Sequence, residues 1–268
     1  MLLREKKEKI DYKIMLHFLP HKYSYTKKIK GEMMLENLKE KDVLDVGVGC
    51  GWFSRFAKDR GYHVMGVDIA DKVIKENRWF GKATGEKIKI KKASVYNLPF
   101  DRSAFDSVVL SEVLEHLAEP EKGLTEINRV LRKRGRLLVI LPGYSYRFVY
   151  DKIFNFLSNS KYLGYDRKMS SLFAEHGLLH SRQEQDLHRF EYTIGSVEKM
   201  LKNSGFEVKD VANVEFLSPF VNTVLCNFLG FKRQKIAFME KLDTFLMGKV
   251  PLFLGSDWMF VCQKERNA

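Results

Sequence analysis

Short apolar runs alternate with amphipathic stretches through the middle of the chain, and that alternation is the first structural signal. Residues 1–40 have a helical pattern, with Met33, Met34, Leu35 and Leu38 spaced to face a core. The pattern then changes to "DVLDVGVG", a short buried strand, "GWFSRFAKDRG", a helix ending at Gly61, and "HVMGVDI", a second buried strand. The helical "ADKVIKENRWFGKAT" follows, then an edge-like third strand "KIKIKKAS" and a fourth strand "FDSVVLS". "PEKGLTEINRVLRK" predicts a helix starting at Pro120, and "RLLVILP" a fifth strand. Strands and helices in this order predict an α/β fold, a doubly wound and mostly parallel sheet.

From about 144 to 190 the alternation stops and aromatics crowd in, which predicts a helical lid over the ligand edge of the sheet. The helix "SVEKMLKNSGF", the strand "EVKDVANVEF", an apolar helical insertion at about 217–250 and an antiparallel last strand "DWMFVCQK" complete the chain. The expected organisation is therefore an N-terminal helical segment (1–40), a ligand-binding core (41–145), a lid and substrate insertion (146–190) and a C-terminal completion of the sheet (191–268).

Composition narrows this picture. The 268 residues suit one medium domain, and the three cysteines, Cys50, Cys226 and Cys262, follow neither a disulfide framework nor a CxxC metal spacing. The start "MLLREKKEKIDYK" carries charges where a signal peptide needs an apolar core, and no run reaches the roughly 18 apolar residues of a spanning helix, so a cytoplasmic location is expected. A net charge of +12 favours acidic partners: nucleic acid, anionic lipid or an acidic small molecule. The densest basic cluster, "RKRGR" at 132–136, stands between a helix and a strand, so a helix-stop turn around Gly135 is expected instead of a nucleic-acid patch.

Candidate chemistry begins at "VLDVGVGCGWFS", where Gly47, Gly49 and Gly51 join a strand to a helix. Such a turn is tight, and its backbone must approach a ligand at the helix N-terminus. A dinucleotide fingerprint is GxGxxG, but Trp52 occupies the third-glycine position and the spacing here is GxGxG, which disfavours a nicotinamide-dependent oxidoreductase. Asp68 ends the second strand, where a carboxylate can accept both ribose hydroxyls or cap the helix beginning at Ala70.

With "LDVGVGCG", "GVDIA", "ASVYNLPFDRSAFDSVVLSEVLEHL" and "RVLRKRGRLLVILP" in register, the chain resembles the class I, Rossmann-like, S-adenosylmethionine-dependent methyltransferases over about residues 40–145. The resemblance implies S-adenosylmethionine as cofactor and S-adenosylhomocysteine as product. It implies that the Asp45–Gly51 loop, Gly47 and Gly49 included, binds the methionine part of the cofactor, that Asp68 holds the ribose and that Ile69 packs on the adenine. Ser94 and Val95 would meet the adenine edge, and Ser111 would complete the cofactor site.

"SEVLEHL" (111–117) starts at the carboxyl edge of the fourth strand, where open α/β folds place ligands. If helical, it brings Glu112, Glu115 and His116 to one face. Three readings stay open. In the first, the carboxylates are stabilised by a helix N-terminus, while His116 borders the cofactor or packs under the lid. Alternatively His116, or His188 in "DLHRFEYT", is a general base, since imidazole titrates near neutrality. Finally, ExxEH resembles the quinone-biosynthesis O-methyltransferases and the small-RNA 2′-O-methyltransferases, which implies a divalent cation held by Glu112, Glu115, His116 and His188. His176 and His180 also have i, i+4 spacing, but lack an HExxH context.

The expected activity is methyl transfer, at oxygen, to a small-molecule or lipid-like acceptor. The alternatives are an RNA or other macromolecule methyltransferase, for which no separate RNA-binding module is visible, and a catalytically silent module that docks on membranes through 217–250. The oligomeric state leaves no signature in the sequence.

Overall fold

A computed structural model describes residues 25–143, 192–215 and 257–265, with isolated positions between 245 and 255. The expected lid (146–190), with His176, His180 and His188, and most of the insertion at 217–250 lie outside the described residues, as does the chain before Tyr25.

Helix α1 (Tyr25–Glu36) leads into β1 (Asp42–Val46), α2 (Trp52–Lys58), β2 (His63–Asp68), α3 (Asp71–Thr84) and β3 (Lys89–Lys92). After β4 (Phe105–Ser111) and a 3₁₀ turn at Leu114–His116 come α4 (Pro120–Val130), β5 (Leu131–Pro142), α5 (Ile194–Asn203), β6 (Phe206–Glu215) and β7 (Asp257–Lys264). The seven strands form one sheet in the order β3-β2-β1-β4-β5-β7-β6. The β1 to β5 pairings are parallel, whereas β7 runs antiparallel to both β5 and β6, as expected for the last strand. Strand order reverses between β1 and β4, so a crevice opens beyond their carboxyl ends.

The unbroken apolar runs are explained by burial on both faces. Along β5, Leu137, Val139 and Leu141 face one core with α4 and α5, while Leu138 and Ile140 face the other with α1 and α2. The same alternation holds in β7, where Trp258, Phe260 and Cys262 oppose Met259 and Val261. Helix α1 supplies the expected Met34 and Leu35, both buried.

One expected boundary is corrected. "RKRGR" is not a helix-stop turn centred on Gly135: α4 ends at Val130, and β5 begins at once, with Leu131 paired to Phe105 and Arg136 to Ser107. The extra residues bulge out of the ladder, and Arg134 takes the left-handed conformation (φ 57°). Gly135 is required for closeness, since a Cβ there would lie 2.9 Å from the Arg132 carbonyl and 3.0 Å from that of Asp106. Arg132 turns back to bridge Asp42 and Asp106 at 3.0 and 2.7 Å.

Candidate functional site: the cleft at the ends of β1 and β4

The glycine loop is pinned from four sides. Gly47 and Val48 donate their N–H groups to the Val67 carbonyl, and the Gly49 N–H reaches Asp68 Oδ2 at 3.2 Å. Asn77 Nδ2 donates to the Gly49 carbonyl at 2.8 Å, and Arg55 Nη1 to that of Cys50 at 2.7 Å. Arg55 and Asn77 also bond each other at 3.0 Å, so α2 and α3 hold the loop as one clamp. Gly51 is left-handed (φ 71°), and a Cβ there would strike Asn77 Oδ1 at 2.5 Å and Arg55 Nη1 at 2.6 Å. Trp52 is the first residue of α2, confirming that the loop closes as GxGxG.

Below the loop, Asp45 is buried and accepts from Ser54 Oγ at 2.5 Å. Burial, with the Asp68 charge adding to it, pushes its carboxyl up to about 6. Asp68 does not cap α3, whose N-cap is Ala70 with no side-chain bond; Asp68 Oδ1 instead accepts from the Ala70 N–H at 2.9 Å. Two backbone donors leave roughly two of its four lone-pair sites for a ligand.

A cleft of about 480 Å³ lies above, lined by Gly47, Gly49, Asp68, Ile69, Ser94 and Val95 on one side and by Glu112, Val113 and His116 on the other. Asp45 and Gly51 are buried beneath the loop, and Ser111 ends β4 in register with Ile140. Ser94 spends its hydroxyl on its own turn, accepting from the Tyr96 N–H at 3.3 Å.

"SEVLEHL" departs from the helical expectation. Ser111 still belongs to β4, Glu112 has a left-handed φ of 56° with its N–H on the Ile140 carbonyl, and only Leu114–His116 turn, as one 3₁₀ turn. The cause is local packing: Leu114 is fully buried, and Val113 fills the space against Gly47 where a Cβ would otherwise sit. The three polar side chains therefore diverge. His116 and Glu112 line the cleft, and Glu112 Oε1 lies 3.4 Å from Lys30 Nζ. Glu115 turns inward, only 2% exposed, and neither carboxyl oxygen has a hydrogen-bond partner among the described residues. Its Oε1 stands 4.0 Å from His116 Nε2. Burial first, then the Glu112 and Asp257 charges, push the Glu115 carboxyl up to about 8, against the lowering effects of its own backbone N–H and of Lys30. Burial, followed by Glu115 and Tyr96, raises the nearby Tyr192 phenol to about 12.

Residues 44–139 match a family model described as a methyltransferase domain. That segment is a class I S-adenosylmethionine-dependent methyltransferase domain. Over 126 residues the chain is 29% identical to a ubiquinone biosynthesis O-methyltransferase of Nitrosomonas europaea, covering 47% of this chain and 52% of that one. Over 204 residues it is 26% identical to phosphoethanolamine N-methyltransferase 2 of Caenorhabditis elegans, covering 74% and 44%. The chain thus spans about half the length of the curated relatives it matches. A solved S-adenosylmethionine-dependent methyltransferase from Thermotoga maritima shares the fold, with a TM-score of 0.55 at 18% identity and coverage of 95% and 96%.

The methyltransferase cleft fits its cofactor on two observations. A Cβ added to Gly49 would meet nothing nearer than 4.0 Å, so the side of the loop facing the cleft is open for a ligand. Ile69 is 68% exposed, an apolar side chain presented at the cleft rim for a ring to cover. Of the expected cation ligands Glu112, Glu115 and His116 are described and His188 lies outside the described residues, among which no group of three or more His, Cys, Asp or Glu side chains is placed to hold a metal.

The Arg55–Asn77 clamp and Lys30 were missed by sequence reasoning. Asn77 did leave a signal, as a polar residue at a core-facing position of α3 between Ile74 and Phe80.

Proposed function

We propose that the protein transfers the methyl group of S-adenosylmethionine to a small-molecule or lipid-like acceptor at oxygen, releasing S-adenosylhomocysteine. The supporting observation is the cleft itself, in which a pinned glycine loop, the Asp68 carboxylate and the exposed Ile69 meet at the reversal of strand order. When bound, the cofactor supplies a methyl carbon activated by its sulfonium, so that the acceptor oxygen forms a C–O bond as the C–S bond breaks and its electron pair goes to sulfur. The chain's part is to position and to move one proton. Backbone groups of Gly47–Gly51 hold the amino-acid end, and Asp68 accepts the ribose hydroxyls. Across the cleft, the His116 imidazole, 39% exposed, takes the acceptor proton, with His188 as the rival base. Holding the acceptor in line with the methyl group supplies much of the acceleration.

Titration calorimetry with S-adenosylmethionine tests this reading. The protein is expected to bind, and Asp68→Ala to lose most of the affinity; absence of binding by the unaltered protein refutes it. A nitrogen acceptor is the second reading, favoured by the Glu112 carboxylate on the cleft wall, 51% exposed and suited to holding an amine that gives up its proton before its nitrogen lone pair attacks the methyl carbon. Labelled cofactor incubated with cell extracts, followed by identification of the methylated atom, decides between them. No helix among the described residues is long and apolar enough to cross a membrane. With a lipid-like acceptor, the net charge of +12 favours contact with an anionic membrane surface, and liposome flotation measures that contact.

A further inference from the structure

Lys30 of α1 is fully buried, yet its ammonium lies 2.7 Å from Asp257 Oδ2 and 3.4 Å from Glu112 Oε1. These partners stand at the entry to β7 and the exit of β4, separated from Lys30 by 227 and 82 positions. Burying an ammonium is unfavourable unless well-placed carboxylates offset its lost hydration. A left-handed φ of 56° at Glu112 is unfavourable too, because its Cβ crowds the following carbonyl. Both costs meet at the residue where β4 delivers the chain to the cleft, a pattern expected where strain has a use. Among the described residues two carboxylates face this one ammonium, which leaves those three side chains net negative, and Glu112 is the member on the cleft wall.

We propose that Lys30 is a positioning residue: it fixes the Glu112 carboxylate on the cleft wall, so that the cleft favours the cationic sulfonium of S-adenosylmethionine over the neutral thioether of S-adenosylhomocysteine. The inference rests on the cofactor reading above. Lys30 acts through Glu112, because without the ammonium Asp257 and Glu112 are like charges, and the half-exposed Glu112 swings out to water. Charge alone gives the opposite sign, since removing a cation from a wall that stayed in place would strengthen the preference for the sulfonium.

The test is calorimetric titration of the full chain with each of the two compounds, reading the ratio of their affinities. Lys30→Met is expected to lower the preference for S-adenosylmethionine by about twofold to fivefold, the scale of a partly exposed charge pair. Glu112→Gln should lower it equally, the double variant should lower it no further, and Lys30→Arg should retain it. A ratio that rises or stays constant in folded Lys30→Met overturns the proposal. If Lys30→Met does not fold, an unchanged ratio in Glu112→Gln overturns it instead. Failure of the unaltered protein to bind either compound refutes the cofactor reading, an outcome distinct from binding with an insensitive ratio.

Discussion

Replacing Glu115 by Gln should make the protein more stable relative to wild type as pH rises from 5 to 8. The Glu115 carboxyl, ordinarily near 4.5, is pushed up to about 8 in the folded chain, chiefly by burial. Below 4.5 both folded and unfolded chains hold the proton, and the group is neutral in the balance. Between 4.5 and 8 the folded chain keeps a proton that the unfolded chain has released, so stability falls with rising pH until the folded group ionises. At pH 7 the accumulated loss is about 3 kcal/mol, from about 1.4 kcal/mol per pH unit over the interval from 4.5. Gln removes that dependence. Its amide also brings a pH-independent cost of about 1–3 kcal/mol, since the site offers the side-chain oxygens no hydrogen-bond partner among the described residues. The absolute Tm of the variant is therefore less informative than the difference between variant and wild type. For a chain of this size about 3 kcal/mol corresponds to roughly 6–12 °C. Scanning fluorimetry at pH 5, 6, 7, 8 and 9 should show the difference growing in favour of Gln up to about pH 8 and levelling off above it. A difference that is flat across that range refutes a buried, proton-holding Glu115.

Three further perturbations separate the loop's fold from its ligand. Gly49→Ala places a methyl group where no protein atom lies nearer than 4.0 Å, so its stability cost is only the left-handed backbone, about 1–2 kcal/mol, while calorimetry should show cofactor affinity falling at least tenfold. Gly51→Ala drives a Cβ into Asn77 and Arg55 and should lower Tm well beyond Gly49→Ala; equal destabilisation by the two would contradict the clamp. Asn77→Ala frees the Gly49 carbonyl and removes a partner of Arg55, and should cost about 1–3 kcal/mol in urea unfolding together with a loss of cofactor affinity. Retained affinity in that variant would show that the loop holds its shape without α3.

What was legible in the sequence follows from how far apart the interacting residues stand. The strands were legible because burial on both faces writes an unbroken apolar run, as in "RLLVIL". The glycine loop was legible because left-handed conformations and close contacts at Gly47 and Gly51 exclude other residues. "SEVLEHL" misled because its polar spacing matches a helix turn, whereas the backbone there is set by what it packs against: Leu114 enters the core and Val113 seats against Gly47, more than sixty positions earlier. A glutamate at positive φ gives no local signal, since nothing in its side chain favours that conformation as glycine or asparagine would. The same holds for Lys30, whose helical position looks like any amphipathic lysine until β7 brings Asp257 beside it. Local pattern therefore located the cleft, but the residues that shape its wall come from distant strands and helices. The charge on that wall is consequently a property of tertiary packing, which is why exchanging Lys30, far from the glycine loop in sequence, is the sharper probe of how the cleft treats a sulfonium.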